Sequence, residues 1–76
     1  MSALITQMFL LDKYGVRLDT RQLGEVLGIS AGAVRNKIAQ ETLGIPTYVD
    51  GQRYADYRDV AEYIEKCRAL AKEQAA

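Results

Sequence analysis

The chain has 76 residues, with ten Lys or Arg against ten Asp or Glu, a single cysteine and no histidine. A chain this short forms one domain that buries only about 60–65% of its unfolded surface, so a dimer or another bound partner is expected. One cysteine excludes an internal disulfide and a cysteine-cluster metal site, and without histidine both zinc chemistry and catalytic triads lose their usual residues. No metal, no cofactor and no enzymatic activity are therefore expected. The apolar run Met8-Phe9-Leu10-Leu11 is too short to cross a bilayer. The N-terminus lacks the basic segment and cleavage site of a signal peptide. A cytoplasmic protein that does not enter membranes is the expectation.

Residues 2–14 predict a helix. Leu4, Met8 and Leu11 share one face with Ile5 and Phe9 beside them, a pattern that packs across a core. A short strand at residues 9–11 is the alternative. Gly15 is a natural stop, and Val16-Arg17-Leu18 reads as an extended link. Asp19 or Thr20 caps a second helix over 20–27, in which Leu23, Val26 and Leu27 give the i, i+3, i+4 stripe of a buried face. Gly24 sits where this helix meets the next, Gly28 permits a sharp turn, and Ile29 plugs the gap between the two helices.

Ser30 is a strong N-cap for a third helix over 31–42, with Val34 and Ile38 inward. Ile45-Pro46 breaks helix. A hairpin over 46–56 follows, because Asp50-Gly51 lies between the β-formers Thr47-Tyr48-Val49 and Arg53-Tyr54-Ala55. Tyr48 and Tyr54 are expected to pair across its strands. A last helix over 58–72 presents Val60, Ile64, Cys67 and Ala71 on one face, with Cys67 read as a small buried hydrophobe. The whole is a mainly α fold with a small β-hairpin, a single domain spanning 1–76.

Two helices joined by a tight turn and followed at once by a hairpin form a device for entering a DNA groove. The solvent side of the third helix offers Arg35, Asn36, Lys37 and Gln40. Arginine reads guanine bidentately, asparagine and glutamine read adenine, and lysine takes phosphate or guanine. Ala31, Gly32 and Ala33 are small and permit close approach. Arg21 adds a cation on the preceding helix. The hairpin tip, Gly51-Gln52-Arg53, places Arg53 to reach a minor-groove edge or a phosphate, while Asp50 is explained by its turn role. The five tyrosines do not form a stacking platform for single strands, since Tyr14, Tyr57 and Tyr63 fall on helices or their ends.

The segments LDTRQLGEVLGISAGAVRNKI and IPTYVDGQRYADYRDVAEYIE resemble the excisionase-like and AlpA-type small DNA-binding proteins of phages and mobile elements, within the MerR-like winged-helix group. The family pattern ends in an Arg-x-Asp-Val-x-x-Tyr/Trp-Ile/Leu motif, to which Arg58-Asp59-Val60-Ala61-Glu62-Tyr63-Ile64 is similar, without the residue between Arg and Asp. The start, Met8 to Gly15, is also similar to pyocin-activator-type transcription regulators. The overall likeness is greatest to excisionases of filamentous prophages.

The resemblance implies a winged helix-turn-helix, with Ser30, Gly32, Arg35, Asn36 and Lys37 as recognition-helix contacts and Gly51, Gln52 and Arg53 as the wing. It implies binding to repeated sites on double-stranded DNA as a dimer or cooperative oligomer, assistance to an integrase in excision, and regulation of nearby promoters, without covalent chemistry. Family wings are more basic than this one, in which Arg53 stands between Asp50 and Asp56. Such a wing implies low single-site affinity, compensated by several protomers on adjacent sites. A dedicated phage activator or repressor is the alternative of the same class. A protein-interaction adaptor or antirepressor without DNA contact is the alternative of another class.

Overall fold

The computed structural model describes residues 2–75. The elements run α1 (Ser2–Tyr14), β1 (Arg17–Asp19), α2 (Thr20–Leu27), α3 (Ala31–Ala39), β2 (Tyr48–Asp50), β3 (Gln52–Asp56) and α4 (Tyr57–Ala75). The fold is thus mainly helical with a small antiparallel sheet of order β1-β3-β2. The core gathers Leu10, Leu18, Leu23, Val34, Leu43, Ile45, Ala55, Val60 and Ala61. One or two residues come from each helix and from β1 and β3, and two from the 40–47 connection. Removing these side chains from water is the main favourable contribution to folding.

The α2–α3 unit forms as its local signals dictate. Asp19, rather than Thr20, is the cap of α2: its carboxylate accepts the Gln22 N–H at 2.8 Å while the Gln22 side chain accepts the Asp19 N–H at 3.0 Å. This reciprocal pair satisfies two N–H groups that a helix start otherwise leaves open. Gly28 ends the helix in the left-handed region at φ 74°. The Ser30 hydroxyl oxygen then accepts the Ala33 N–H at 3.0 Å and starts α3. Gly24 is required by the crossing, because a Cβ there would lie 2.6 Å from the Ile29 carbonyl oxygen.

α3 stops at Ala39, three residues short of the expected 42. Its end is a Schellman arrangement: Glu41 N–H donates to the Ile38 carbonyl at 3.1 Å and Thr42 N–H to the Lys37 carbonyl at 2.8 Å. Glu41 takes the left-handed conformation, φ 58°, that glycine usually supplies there. Ending early frees Leu43 and Ile45 to turn inward, and both are buried.

Four further expectations are corrected. Arg17 and Leu18, expected in an extended link, belong with Asp19 to a strand, which pairs with β3 in the register Arg17↔Asp56, Leu18↔Ala55 and Asp19↔Tyr54. Three residues carry too little β pattern to announce themselves, and the hydrogen bonds that make them a strand come from a segment far along the chain. α4 runs to Ala75, beyond the expected 72. Cys67 is exposed rather than buried, as are Leu70 and Ala71. The inward stripe of α4 fades after Ile64, because α1 and the sheet cover only its first half. Cys67 instead lies one turn on from Tyr63, and interaction with its thiol pushes the Tyr63 hydroxyl above its ordinary range.

The fourth correction concerns α1. Its apolar residues do not pack across the core: Leu4, Ile5, Met8, Phe9 and Leu11 are all exposed, and Leu10 alone of the large apolar residues is fully buried. The helix lies on α4 by the opposite side, where Thr6 and Gln7 are half-buried and the Thr6 hydroxyl donates to Glu65 at 2.8 Å. Among the described residues no helix is long and apolar enough to cross a membrane.

Candidate functional site

α3 is held by its buried Val34 and half-buried Ile38. At 100° per residue, Gly32, Asn36 and Gln40 then fall on one outward stripe, with Arg35 on one flank and Lys37 on the other. Arg35, Asn36, Lys37 and Gln40 are all exposed. The flanks open onto different surfaces. Arg35 lines a cleft of about 430 Å³ together with Thr20, Ile38, Ala39, Gln52 and Arg53. Lys37 lines a second groove of about 350 Å³ against Val26, Leu27, Tyr63 and Ile64. The fold therefore joins Arg35 to the hairpin residues Gln52 and Arg53, and sets Lys37 apart from them.

The remaining expected residues fall as follows. Ser30 is exposed, with its oxygen occupied as the α3 cap. Gly32 is half-buried, and a Cβ there would touch only the Ser30 hydroxyl, at 3.8 Å. Another chain can thus come close to the α3 backbone at this point. Gly51 is at the exposed hairpin tip with φ 76°. Arg21 is exposed and engaged with Glu25 one turn on, at 2.8 Å. It does not line the cleft.

The hairpin is aligned by Tyr48 opposite Tyr54 and Val49 opposite Arg53. The two tyrosine rings pair as expected, with centroids 6.2 Å apart. Arg53 donates to the Thr47 hydroxyl at 2.9 Å. Across the sheet, the Arg17 guanidinium stacks on Tyr54 at 3.7 Å and binds the Asp50 carboxylate at 2.9 Å. That bond to Asp50 is the main reason the guanidinium is held protonated above its ordinary range. Planar stacking plus a charged hydrogen bond fixes the hairpin tip to the far strand in a way a lysine cannot.

Asp56, at the other end of β3, accepts from the Arg58 side chain at 2.9 and 3.0 Å and from the Arg58 N–H at 2.8 Å. The side-chain hydrogen bond from Arg58 is the largest cause holding its carboxyl below the usual carboxylate range. Both acids that flank Arg53 in the sequence are thus matched by arginines, Arg17 and Arg58. The hairpin is less acidic in effect than its sequence suggests. Sequence reasoning placed Arg17 in an extended link and gave it no role, since its partner is 33 residues away. Thr20 and Thr47 were likewise missed, as nothing in their local pattern marks them.

Among the described residues, no group of three or more His, Cys, Asp or Glu side chains is placed to hold a metal ion. No buried side-chain nitrogen or oxygen among them lacks a hydrogen-bond partner. The chain has no significant match among family models, curated proteins or solved structures.

Proposed function

We propose that this is a winged helix-turn-helix protein that binds double-stranded DNA sequence-specifically, with α3 as the recognition helix and the β2–β3 hairpin as the wing. The observation that carries this reading is the cleft that gathers Arg35, Gln52 and Arg53 from two elements distant in sequence. A major groove about 12 Å wide admits one helix. With α3 in it, the outward stripe faces the base edges. Asn36 and Gln40 offer the donor and acceptor pair that reads adenine, and Gly32 lets the backbone approach. Arg35, on the hairpin flank, reaches guanine, while Lys37, on the other flank, meets the opposite phosphate strand. Arg53 meets the phosphates or minor groove beside the site.

The finer role we propose is that of an excisionase of a prophage or mobile element, which bends DNA at repeated sites, assists an integrase and regulates nearby promoters. Its support is the resemblance of the α2–α3 and Arg58–Ile64 segments to that group, together with a chain of zero net charge. A neutral protein makes few phosphate contacts and binds single sites modestly, so assembly on repeats supplies the affinity.

Titration of a duplex selected from a random-sequence pool by the wild-type protein tests the DNA reading. Arg35→Ala is expected to cost about 1–3 kcal/mol and to relax specificity at one base pair, while Arg53→Ala weakens all sequences alike and lowers the salt slope by about one. Wild-type binding by both variants would overturn the DNA reading and leave an interaction adaptor or antirepressor. That second reading is favoured by the apolar outer face of α1. For the finer role, deletion of the gene should abolish excision while the integrase is present. Abundant excision in the deletion strain refutes it and leaves a dedicated transcription regulator.

A further inference from the structure

We propose that the outer face of α1 is a self-association surface, on which a second copy of the chain lays its own α1 in antiparallel orientation about a twofold axis. This does not rest on the DNA reading. The starting observation is the inversion of α1. Its polar Thr6 and Gln7 turn toward α4, whereas Leu4, Ile5, Met8, Phe9 and Leu11 remain between 41% and 72% exposed. Single exposed apolar residues are ordinary, but five on one helix leave a broad apolar face, about 160° around at 100° per residue, with Asp12 alone among the charged residues inside it.

The size of the patch suits a dimer. With roughly 100–150 Å² open on each large apolar residue, the five present about 600 Å², at the top of what monomers usually leave uncovered. Isologous pairing hides that area twice, about 1,200 Å² in all, the lower bound for specific protein–protein interfaces. One copy's share is near a tenth of the 5253 Å² accessible surface.

Charge points to the same occupant. The chain has no net charge, so two copies meet without long-range repulsion. Asp12 and Lys13 are the charged residues of α1, both in its last turn. Antiparallel pairing centred near Met8 sets these at opposite ends of the interface and opposes the helix dipoles, whereas parallel pairing puts Asp12 beside Asp12 and Lys13 beside Lys13. A lipid surface fits poorly, since a membrane-lying helix wants a row of cations that α1 lacks. Lys13 already lies over the Phe9 and Tyr14 rings, at 5.8 and 5.5 Å, and closes the C-terminal edge of the patch. A twofold pair is closed and uses the patch completely.

Sedimentation equilibrium of the full chain tests this. The wild type is expected at twice the 8.5 kDa chain mass at micromolar concentrations. Met8→Glu places two carboxylates at the axis and should weaken dimerisation at least about 30-fold, with helical circular dichroism unchanged because the residue is exposed. Ile5→Lys, at the most exposed of the five positions, gives the same reading with opposite charge should Met8→Glu fold poorly. A wild type that stays monomeric, one that grows past the dimer, or a dimer indifferent to both substitutions would overturn the proposal. The monomeric outcome would leave the patch to a different protein or a vesicle.

Discussion

The α2–α3 unit and α1 are built from similar numbers of apolar residues, yet they dispose of them in opposite ways. In α2–α3, every strong local signal is used: Asp19 and Ser30 cap, Gly28 turns, Gly24 admits the crossing, and Leu23 and Val34 are fully buried. In α1 only Leu10 of the large aliphatic residues joins the core, while Leu4, Ile5, Met8, Phe9 and Leu11 lie outside and a threonine and a glutamine are half-buried. The first region spends its hydrophobic residues on its own fold and leaves its polar ones on the surface. The second leaves five large hydrophobic residues uncovered in the single chain, where they contribute little to its stability. Hydrophobic pattern alone therefore identifies a helix and its apolar face, but not what covers that face.

The largest effect expected from this contrast is in urea denaturation. Leu23→Ala should lower stability by about 2–5 kcal/mol through lost burial and an unfilled cavity. Met8→Ala, at a site exposed in the single chain, should stay within about 0.5 kcal/mol when measured on dilute, monomeric protein. Comparable losses at the two positions would mean that the outer face of α1 is packed within the single chain and that the contrast is false.

The caps of α3 should give smaller, opposite changes. Ser30→Ala removes the acceptor for the Ala33 N–H and should cost about 1 kcal/mol. Glu41→Gly relieves the left-handed residue at the other end and should gain about 1 kcal/mol. Thermal melts of the two variants displaced in the same direction would contradict the assigned ends of the helix.

The smallest effect is electrostatic. Because the folded carboxyl of Asp56 titrates below its unfolded value, its contribution is fully present above the ordinary carboxylate range. It fades as pH falls through the depressed folded value. A carboxyl NMR titration should show the low midpoint, and Arg58→Ala should bring it up toward the usual range. An unmoved midpoint would transfer the cause from Arg58 to something else.

Legibility follows the distance over which each signal acts. The start and end of α2, the cap of α3, the Tyr48–Tyr54 pair and the hairpin turn were all readable, because each depends on residues within about one helical turn or one tight hairpin. Arg35, Gln52 and Arg53 were readable as polar residues equipped for recognition, but their meeting on one cleft was not. Lys37 was grouped with Arg35 by proximity in sequence, although a spacing of two turns the pair to opposite flanks of the helix.

By itself, then, the sequence determined which segments are helical, where α2 and α3 begin, and which side chains are equipped to hydrogen-bond a partner. These properties come from backbone geometry and from neighbours three or four residues away. The tertiary structure alone decided that residues 17–19 complete the sheet, that Arg17 crosses Tyr54 to Asp50, that Cys67 is exposed and that α1 lies inside out on α4. Each of those depends on a contact between segments tens of residues apart, and the burial gained there outweighs the local preference of any single residue.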